Sequence, residues 1–166
     1  HTGLLSKWRF ILPANYQGLT EWGIIEDGKN TIREPRGIFE TGKWQHWAVT
    51  YDGSNYRMFV DGVNVFTVAS NQYPAHVATT LNLGCYRGTG GFWNGYQEEF
   101  RLTKGVARYT SDFSLNLPAG PFGETYLVNS TTGNDSHWGS TTLLMPLDAN
   151  FNDISTSGLT HYNIEG

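Results

Sequence analysis

Short stretches of alternating apolar and polar residues, separated by turn residues, recur along the chain. The clearest region is residues 44–69, where aromatic and β-branched residues fill three segments. Asp52-Gly53-Ser54-Asn55 separates the first two segments, and Asp61-Gly62 separates the second from the third. Because Asp-Gly favours a two-residue hairpin turn, the pattern predicts a three-stranded antiparallel meander.

Further strands are predicted on both sides of this meander. They are Gly3–Trp8, Leu19–Ile25, Leu81–Tyr86 and Tyr96–Leu102. Helical periodicity extends nowhere beyond about two turns. Many short strands at close spacing predict an all-β fold, an antiparallel β-sandwich. The apolar positions of these strands form the predicted core, which comprises Trp47, Val49, Met58, Val60, Val65, Leu81, Leu83 and Phe100.

Composition narrows the classes of function. The chain has 166 residues, a length typical of one domain, with 14% aromatic and 16% charged residues, which argues against disorder. Eleven scattered basic residues and a net charge of −4 argue against nucleic-acid binding. The longest apolar runs are far shorter than the roughly 20 residues of a membrane span. A single cysteine, Cys85, excludes an intrachain disulfide.

Four groups of residues carry a resemblance to a known family. They are Trp44–Gly53, Arg57–Gly62, Leu83-Gly84 and Trp93–Thr110. In this order they resemble the laminin G-like, concanavalin A-like jelly roll, over about residues 3–122. The closing part is similar to versions found in bacteriophage structural and tail proteins. The resemblance implies an antiparallel two-sheet jelly-roll β-sandwich, a fold that hosts lectins, hydrolases and adhesion modules.

The order of one segment departs from the family. Leu143–Asp153, with Ser157–Thr160, resembles the family's opening strand but comes last. It is either the start of a second tandem copy or a strand that completes a sandwich, and we expect the latter, because a lone strand is unstable in water. The expected organisation is a sandwich at 1–122, a connector at 123–140, and a segment at 141–166 that completes this sandwich or a neighbour's. Leu143, Leu144 and Leu147 are expected to pack in its sheet.

No catalytic residues are predicted. Glycoside hydrolysis with retention needs two carboxyl groups about 5–5.5 Å apart, which on a strand means alternate positions. Glu98 and Glu99 are adjacent, so on a strand they point to opposite faces. The five histidines are scattered without metal-ligand spacing. His46 lies between aromatic residues, and we expect it to be a hydrogen-bonded core residue or a half-buried one.

Two binding sites are candidates. A cluster of oxygen ligands, comprising Asp148, Asn150, Asn152 and Asp153, could hold Ca²⁺, and members of the resembled family often carry calcium. Asn/Asp-rich turns also arise for conformational reasons alone. Aromatic and polar residues that suit a sugar are Tyr86, Arg87, Phe92, Trp93 and Asn94. Phe92 and Trp93 could instead fill the core or a subunit contact.

The sequence therefore predicts a non-enzymatic structural and adhesion module of a virion or surface filament, of the phage capsid decoration or tail type. Its expected partners are further copies of itself, other virion proteins or glycans, with neither nucleic acid nor membrane among them. The expected location is a virion or an extracellular surface. The alternative is a carbohydrate-binding lectin domain of a secreted bacterial adhesin or glycosidase.

Overall fold

The computed structural model describes residues 9–16, 19–26, 29–34, 40, 42–69, 83–84, 94–122, 125–128, 131–145 and 147. Ten strands lie in these ranges: β1 Arg9–Tyr16, β2 Leu19–Glu26, β3 Lys29–Glu34, β4 Trp47–Tyr51, β5 Asn55–Val60, β6 Val63–Ala69, β7 Phe100–Thr103, β8 Thr125–Val128, β9 Thr131–Asn134 and β10 Thr141–Met145. Within the same ranges helical structure is limited to 3-10 turns at Ser114–Asn116 and Trp138–Ser140. No helix among the described residues could cross a membrane.

The predicted meander is confirmed. Strands β4, β5 and β6 form an antiparallel sheet with β5 in the centre. Asp61 and Gly62, with φ of 48° and 75°, make the turn between β5 and β6, as the hairpin prediction requires. At the other turn, Asp52 Oδ1 accepts hydrogen bonds from the Ser54 and Asn55 N–H groups at 2.9 and 2.7 Å. Both turns are therefore fixed by local chemistry.

The remaining strands form one further three-stranded antiparallel sheet, β1-β2-β3, and two two-stranded ones, β8-β9 and β10-β7. Strand β2 confirms the predicted strand at Leu19–Ile25. The sequence pattern did not predict β1, which contains Pro13 at a register shift between Ile11 and Ala14. Proline interrupts a ladder of hydrogen bonds, so it removes the sequence evidence for a strand. The predicted strand at residues 3–8 lies outside the described residues.

Two predicted strands differ from the structure. The strand predicted at residues 96–102 begins only at Phe100, because Glu99 has a φ of 55° and cannot continue an extended ladder backwards. Of the strand predicted at residues 81–86, Leu83 and Gly84 form a bend, with a φ of 69° at Gly84. The other residues of that segment lie outside the described part of the chain.

Strand β10 pairs antiparallel with β7 within one chain, so Leu143 and Leu144 lie in a sheet with residues from the first part of the sequence. Leu144 lies opposite Arg101 in this register. Leu147 follows the strand, half-buried, with a φ of 61°. The segment expected to be a connector contains the β8-β9 hairpin. The division at residues 122 and 140 stays a prediction.

The core is centred on β5 and β10, where side chains on both faces are buried. Its buried apolar residues are Tyr56, Met58, Phe59, Val60, Phe113, Leu143, Leu144 and Met145. Met58 and Val60 confirm the prediction, whereas Trp47, Val49, Val65, Leu83 and Phe100 are only half-buried and Leu81 lies outside the described residues. The central strand of the meander is covered on both sides, while its outer strands are covered less completely.

Replacing a buried leucine of β10 tests the contribution of this strand. We expect Leu144→Ala to lower the free energy of unfolding by about 2–5 kcal/mol, because Leu144 is completely buried. Leu102→Ala on the paired strand is the control, with an expected loss within about 1 kcal/mol because Leu102 is 48% exposed. Urea unfolding of both variants measures the difference, and equal losses would contradict the placement of β10.

Alanine substitutions at two glycines test the close approach between the β5–β6 turn and the 3-10 turn at Ser114–Asn116. A Cβ at Gly62 would lie 2.5 Å from the Ser114 backbone nitrogen, whereas one at Gly53 would meet nothing within 4 Å. Both glycines have positive φ. We expect Gly53→Ala to cost about 1–2 kcal/mol, from backbone conformation alone, and Gly62→Ala to cost clearly more. Thermal unfolding of both variants measures this order, and equal melting temperatures would contradict the close approach.

Candidate functional site

Two aromatic side chains from different segments meet on the surface of the protein. Trp44 precedes β4, Tyr96 precedes β7, and their ring centroids are 6.5 Å apart at an interplanar angle of 41°. Trp44 is 64% exposed and Tyr96 is 87% exposed. We call these two residues the aromatic pair. Their exposed ring faces can stack on a partner or a ligand.

The predicted sugar-binding group overlaps this region at one residue. Asn94 is exposed and lies two residues before Tyr96. Tyr86, Arg87, Phe92 and Trp93 lie outside the described residues, so their contribution to a site stays a prediction. The aromatic pair was not predicted from the sequence, because Trp44 and Tyr96 both lie in segments with the composition of ordinary strands.

The predicted calcium cluster, comprising Asp148, Asn150, Asn152 and Asp153, also lies outside the described residues and stays a prediction. Among the residues that are described, no group of three or more His, Cys, Asp or Glu side chains is placed to hold a metal ion.

The two adjacent glutamates lie in an irregular segment before β7, so the strand on which their opposite orientation was predicted does not include them. Glu98 is exposed, and Glu99 is half-buried. The Phe122 N–H donates a hydrogen bond of 2.7 Å to Glu99 Oε2. Glu99 therefore joins the segment before β7 to the segment that leads into β8.

A separate aromatic cluster is formed by His46, Phe59, Tyr109, Phe113 and Phe122. The Tyr109 and Phe113 rings stack with centroids 3.6 Å apart, and His46 packs edge-on against Phe113 at 5.5 Å. Phe59 approaches Phe113 at 5.3 Å. The cluster covers one face of β5 with the chain segment that follows β7.

His46 is half-buried, as predicted, but its Nδ1 is buried without a hydrogen-bond partner among the described residues, so the alternative of a hydrogen-bonded core histidine is not seen at that atom. Burial, and next the nearby Arg101 guanidinium, lower the pKa of His46 to about 4, against a smaller opposing effect of Asp61. The imidazole is therefore neutral at pH 7.

Arg108 donates four hydrogen bonds to three parts of the chain. Its Nε donates to Thr103 Oγ1 at 2.6 Å, and its Nη1 donates to Asp135 Oδ1 at 2.7 Å. Nη2 donates to the His137 carbonyl oxygen and to Thr141 Oγ1, at 3.1 and 2.7 Å. Only 10% of the Arg108 side chain is exposed. Strand β7, the residues after β9 and the start of β10 are thus held by one guanidinium.

A second buried arginine lies beside this connection. Arg101 Nη1 is 3.5 Å from Asp135 Oδ2, and its Nη2 donates to the Tyr109 hydroxyl at 3.2 Å. Its guanidinium carbon lies 3.9 Å from the centroid of the Phe122 ring, a cation–π contact. Burial lowers the pKa of Arg101. Burial alone would raise the pKa of Asp135, but the Arg108 hydrogen bond and further contacts lower it.

We call Arg101, Arg108 and Asp135 the arginine cluster. A pocket of about 180 Å³ opens beside it, lined by these residues together with Tyr109, Ser136 and others. This cluster was not predicted from the sequence. Strand alternation gives no signal for it, because the structure buries the charged Arg101 and leaves the neighbouring apolar Leu102 exposed to solvent.

Comparison with known proteins supports the fold. A family model of laminin G type, described as the concanavalin A-like lectin/glucanases superfamily, matches residues 4–108, more than half of the chain. The antiparallel sheets and the absence of long helices among the described residues agree with the β-sandwich of that superfamily. No solved structure matches the chain.

The low pKa of His46 makes stability depend on pH. In the unfolded chain the imidazole takes up a proton near pH 6.5, but in the folded protein only near pH 4. The unfolded state therefore binds more protons between these values, so stability is lost as the pH falls from about 6.5 to 4. We expect the stability advantage of the wild type over His46→Gln to shrink by about 2–3 kcal/mol between pH 7 and pH 4.5.

Urea unfolding at a series of pH values measures this difference. Leu102→Ala is the control, because Leu102 carries no titratable group and the difference between this variant and the wild type should stay nearly constant over the same range. A constant difference for His46→Gln would contradict the assignment of a buried neutral imidazole.

Proposed function

Since the chain belongs to the concanavalin A-like lectin/glucanases superfamily, we propose that it is a non-enzymatic structural and adhesion module of a virion or surface filament, such as a phage capsid decoration or tail protein. Its partners are further copies of the chain or other virion proteins. Membership of the superfamily does not select this function, because one fold hosts many functions. The observation that carries the proposal is the exposed aromatic pair.

Large aromatic rings gain free energy when they leave water, by about 25 cal/mol for each Å² of apolar surface buried. Trp44 and Tyr96 forgo much of that gain in the isolated chain, since most of their surface is exposed. Tryptophan and tyrosine are enriched at the energetically important centres of interfaces. The aromatic pair therefore supports a protein whose role is to make contacts.

The acidic residues at the borders of the core support a non-enzymatic role. Glu99 accepts a hydrogen bond from the Phe122 backbone, and Asp135 accepts one from Arg108. Hydrolysis of a glycoside would need two carboxyl groups free to face the sugar. Both of these carboxylates instead bond to groups of the protein itself, as residues with a structural role do.

A second candidate function is carbohydrate binding, as a domain of a secreted bacterial adhesin or glycosidase. The specific observation in its favour is the chemistry around the aromatic pair. Asn94 and Lys43 are exposed polar residues close in sequence to Tyr96 and Trp44. Aromatic faces flanked by amide and charged side chains can stack on a sugar ring and bond to its hydroxyl groups.

The two candidates are separated by measuring glycan binding and molecular mass on the same variants. The full chain, Trp44→Ala and Tyr96→Ala are applied to a glycan array and to size-exclusion chromatography with light scattering. Leu115→Ala is the matched control, because Leu115 is also highly exposed, at 79%, but lies in the 3-10 turn at Ser114–Asn116.

For the structural module we expect a multimer of defined mass and no selective glycan binding. Trp44→Ala should weaken the assembly by about tenfold or more, whereas Leu115→Ala should leave it unchanged. Selective glycan binding that is lost in Trp44→Ala but kept in Leu115→Ala would contradict this proposal and support the second candidate. A monomer that binds no glycan would contradict both self-assembly and carbohydrate binding.

A further inference from the structure

Asn94, two residues before Tyr96, is exposed and is followed by a glycine. Asn94-Gly95 is the single Asn-Gly step in the whole sequence. Both residues are exposed and lie outside any strand. Within the part of the chain that the structure describes, neither the Asn94 amide nor the Gly95 N–H makes a hydrogen bond. These properties bear on the chemical stability of the Asn94 side chain.

The backbone nitrogen after an asparagine can attack the side-chain carbonyl carbon when the two atoms approach each other. Glycine at the following position has no Cβ, so nothing shields the nitrogen, and the backbone can adopt the required conformation readily. A backbone N–H in a strand ladder would first have to break a hydrogen bond. Gly95 lies outside such a ladder. The barrier to attack is therefore low at this position compared with an asparagine in a strand.

We propose that Asn94 is a site of spontaneous deamidation. The Gly95 nitrogen loses its proton and bonds to Cγ of Asn94, while the Cγ–Nδ2 bond breaks and ammonia leaves. The product is a five-membered cyclic imide. Water then adds to one of its two carbonyl carbons and opens the ring. One opening gives an aspartate at position 94, and the other gives an isoaspartyl linkage, in which the main chain runs through the former side chain.

Either product changes the surface that carries the aromatic pair. A neutral amide becomes a carboxylate two residues from Tyr96, which makes the net charge of −4 more negative by one. The isoaspartyl linkage also inserts a methylene into the main chain just before Tyr96. Because Tyr96 meets Trp44 through ring contact at 6.5 Å, that insertion displaces one ring relative to the other. The aromatic pair therefore changes with the age of the molecule.

The chain contains a matched control for this reaction. Asn116 is also exposed, but it is followed by Leu117. The Asn116 N–H donates a hydrogen bond of 2.7 Å to the Phe113 carbonyl oxygen within a 3-10 turn. The branched side chain of Leu117 shields the nitrogen that would attack. The two asparagines share exposure and differ in the following residue.

The full chain is incubated at 37 °C and mildly alkaline pH. Deamidation is followed by ion-exchange chromatography and peptide mass mapping. We expect an acidic form to accumulate, with the exchange of NH for O located at Asn94. Conversion at Asn116 should be slower by about tenfold or more, and Gly95→Ala should slow conversion at Asn94 to a similar degree. Asn94→Asp provides the chromatographic position of the aspartyl product.

Circular dichroism of Gly95→Ala before ageing checks that its fold is unchanged. If this variant proves misfolded, comparing Asn94 with Asn116 in the wild type still decides the outcome. Equal conversion of these two asparagines, or an acidic form that maps to another residue, would overturn the proposal. The reaction needs no binding partner, so its outcome is independent of the adhesion and carbohydrate experiments above.

Discussion

The buried guanidinium of Arg108 links β7 to β10 and to the residues between β9 and β10. The Arg108 guanidinium donates to Thr103 in β7, to Asp135 and His137 after β9, and to Thr141 in β10. Asp135 is almost fully buried, so removing Arg108 would leave Arg101, at 3.5 Å, as its remaining cationic partner among the described residues. Breaking a buried ion pair in this way costs about 3–5 kcal/mol. A lysine could not replace this planar fork, because its three donors radiate from one nitrogen. Arg108 therefore adds a buried polar connection to the hydrogen-bond ladder and the buried side chains that hold β10 against β7.

A second set of contacts depends on the turn between β5 and β6. The Gly62 carbonyl oxygen accepts a hydrogen bond of 2.7 Å from the Phe113 N–H, and Asp112 accepts one of the same length from the Asn64 N–H. These bonds fix the segment that carries Tyr109 and Phe113 over the buried face of β5. The Thr50 hydroxyl adds a bond to the Tyr109 carbonyl oxygen at 2.8 Å. These hydrogen bonds to the backbone therefore position the segment that carries Tyr109 and Phe113, and the rings of the aromatic cluster pack between this segment and β5.

Elements that are determined by neighbouring residues could be predicted from the sequence. Features that are determined by contacts between segments far apart in sequence could not. The meander and its Asp61-Gly62 turn follow from alternation and turn chemistry within a few residues. Half-burial of Trp47 could not be predicted, because it depends on which strand of the sheet is central. Arg101 was missed for a related reason, since its burial requires Asp135, Tyr109 and Phe122 to approach from other segments. The aromatic pair likewise joins two segments far apart in sequence.

The pairing of β10 with β7 has a consequence for how the protein is made. The Thr142 hydroxyl bonds to the Leu102 carbonyl oxygen across 40 residues of sequence. A ribosome adds about 5–20 residues per second, so β7 waits roughly 2–8 s for its partner strand to be synthesised. During that interval the edge of β7 lacks β10, and Arg108 lacks Asp135, His137 and Thr141, although Thr103 is already present. Hydrophobic collapse takes well under a millisecond, so the nascent chain has time to collapse around its middle strands before β10, the last strand among the described residues, is synthesised.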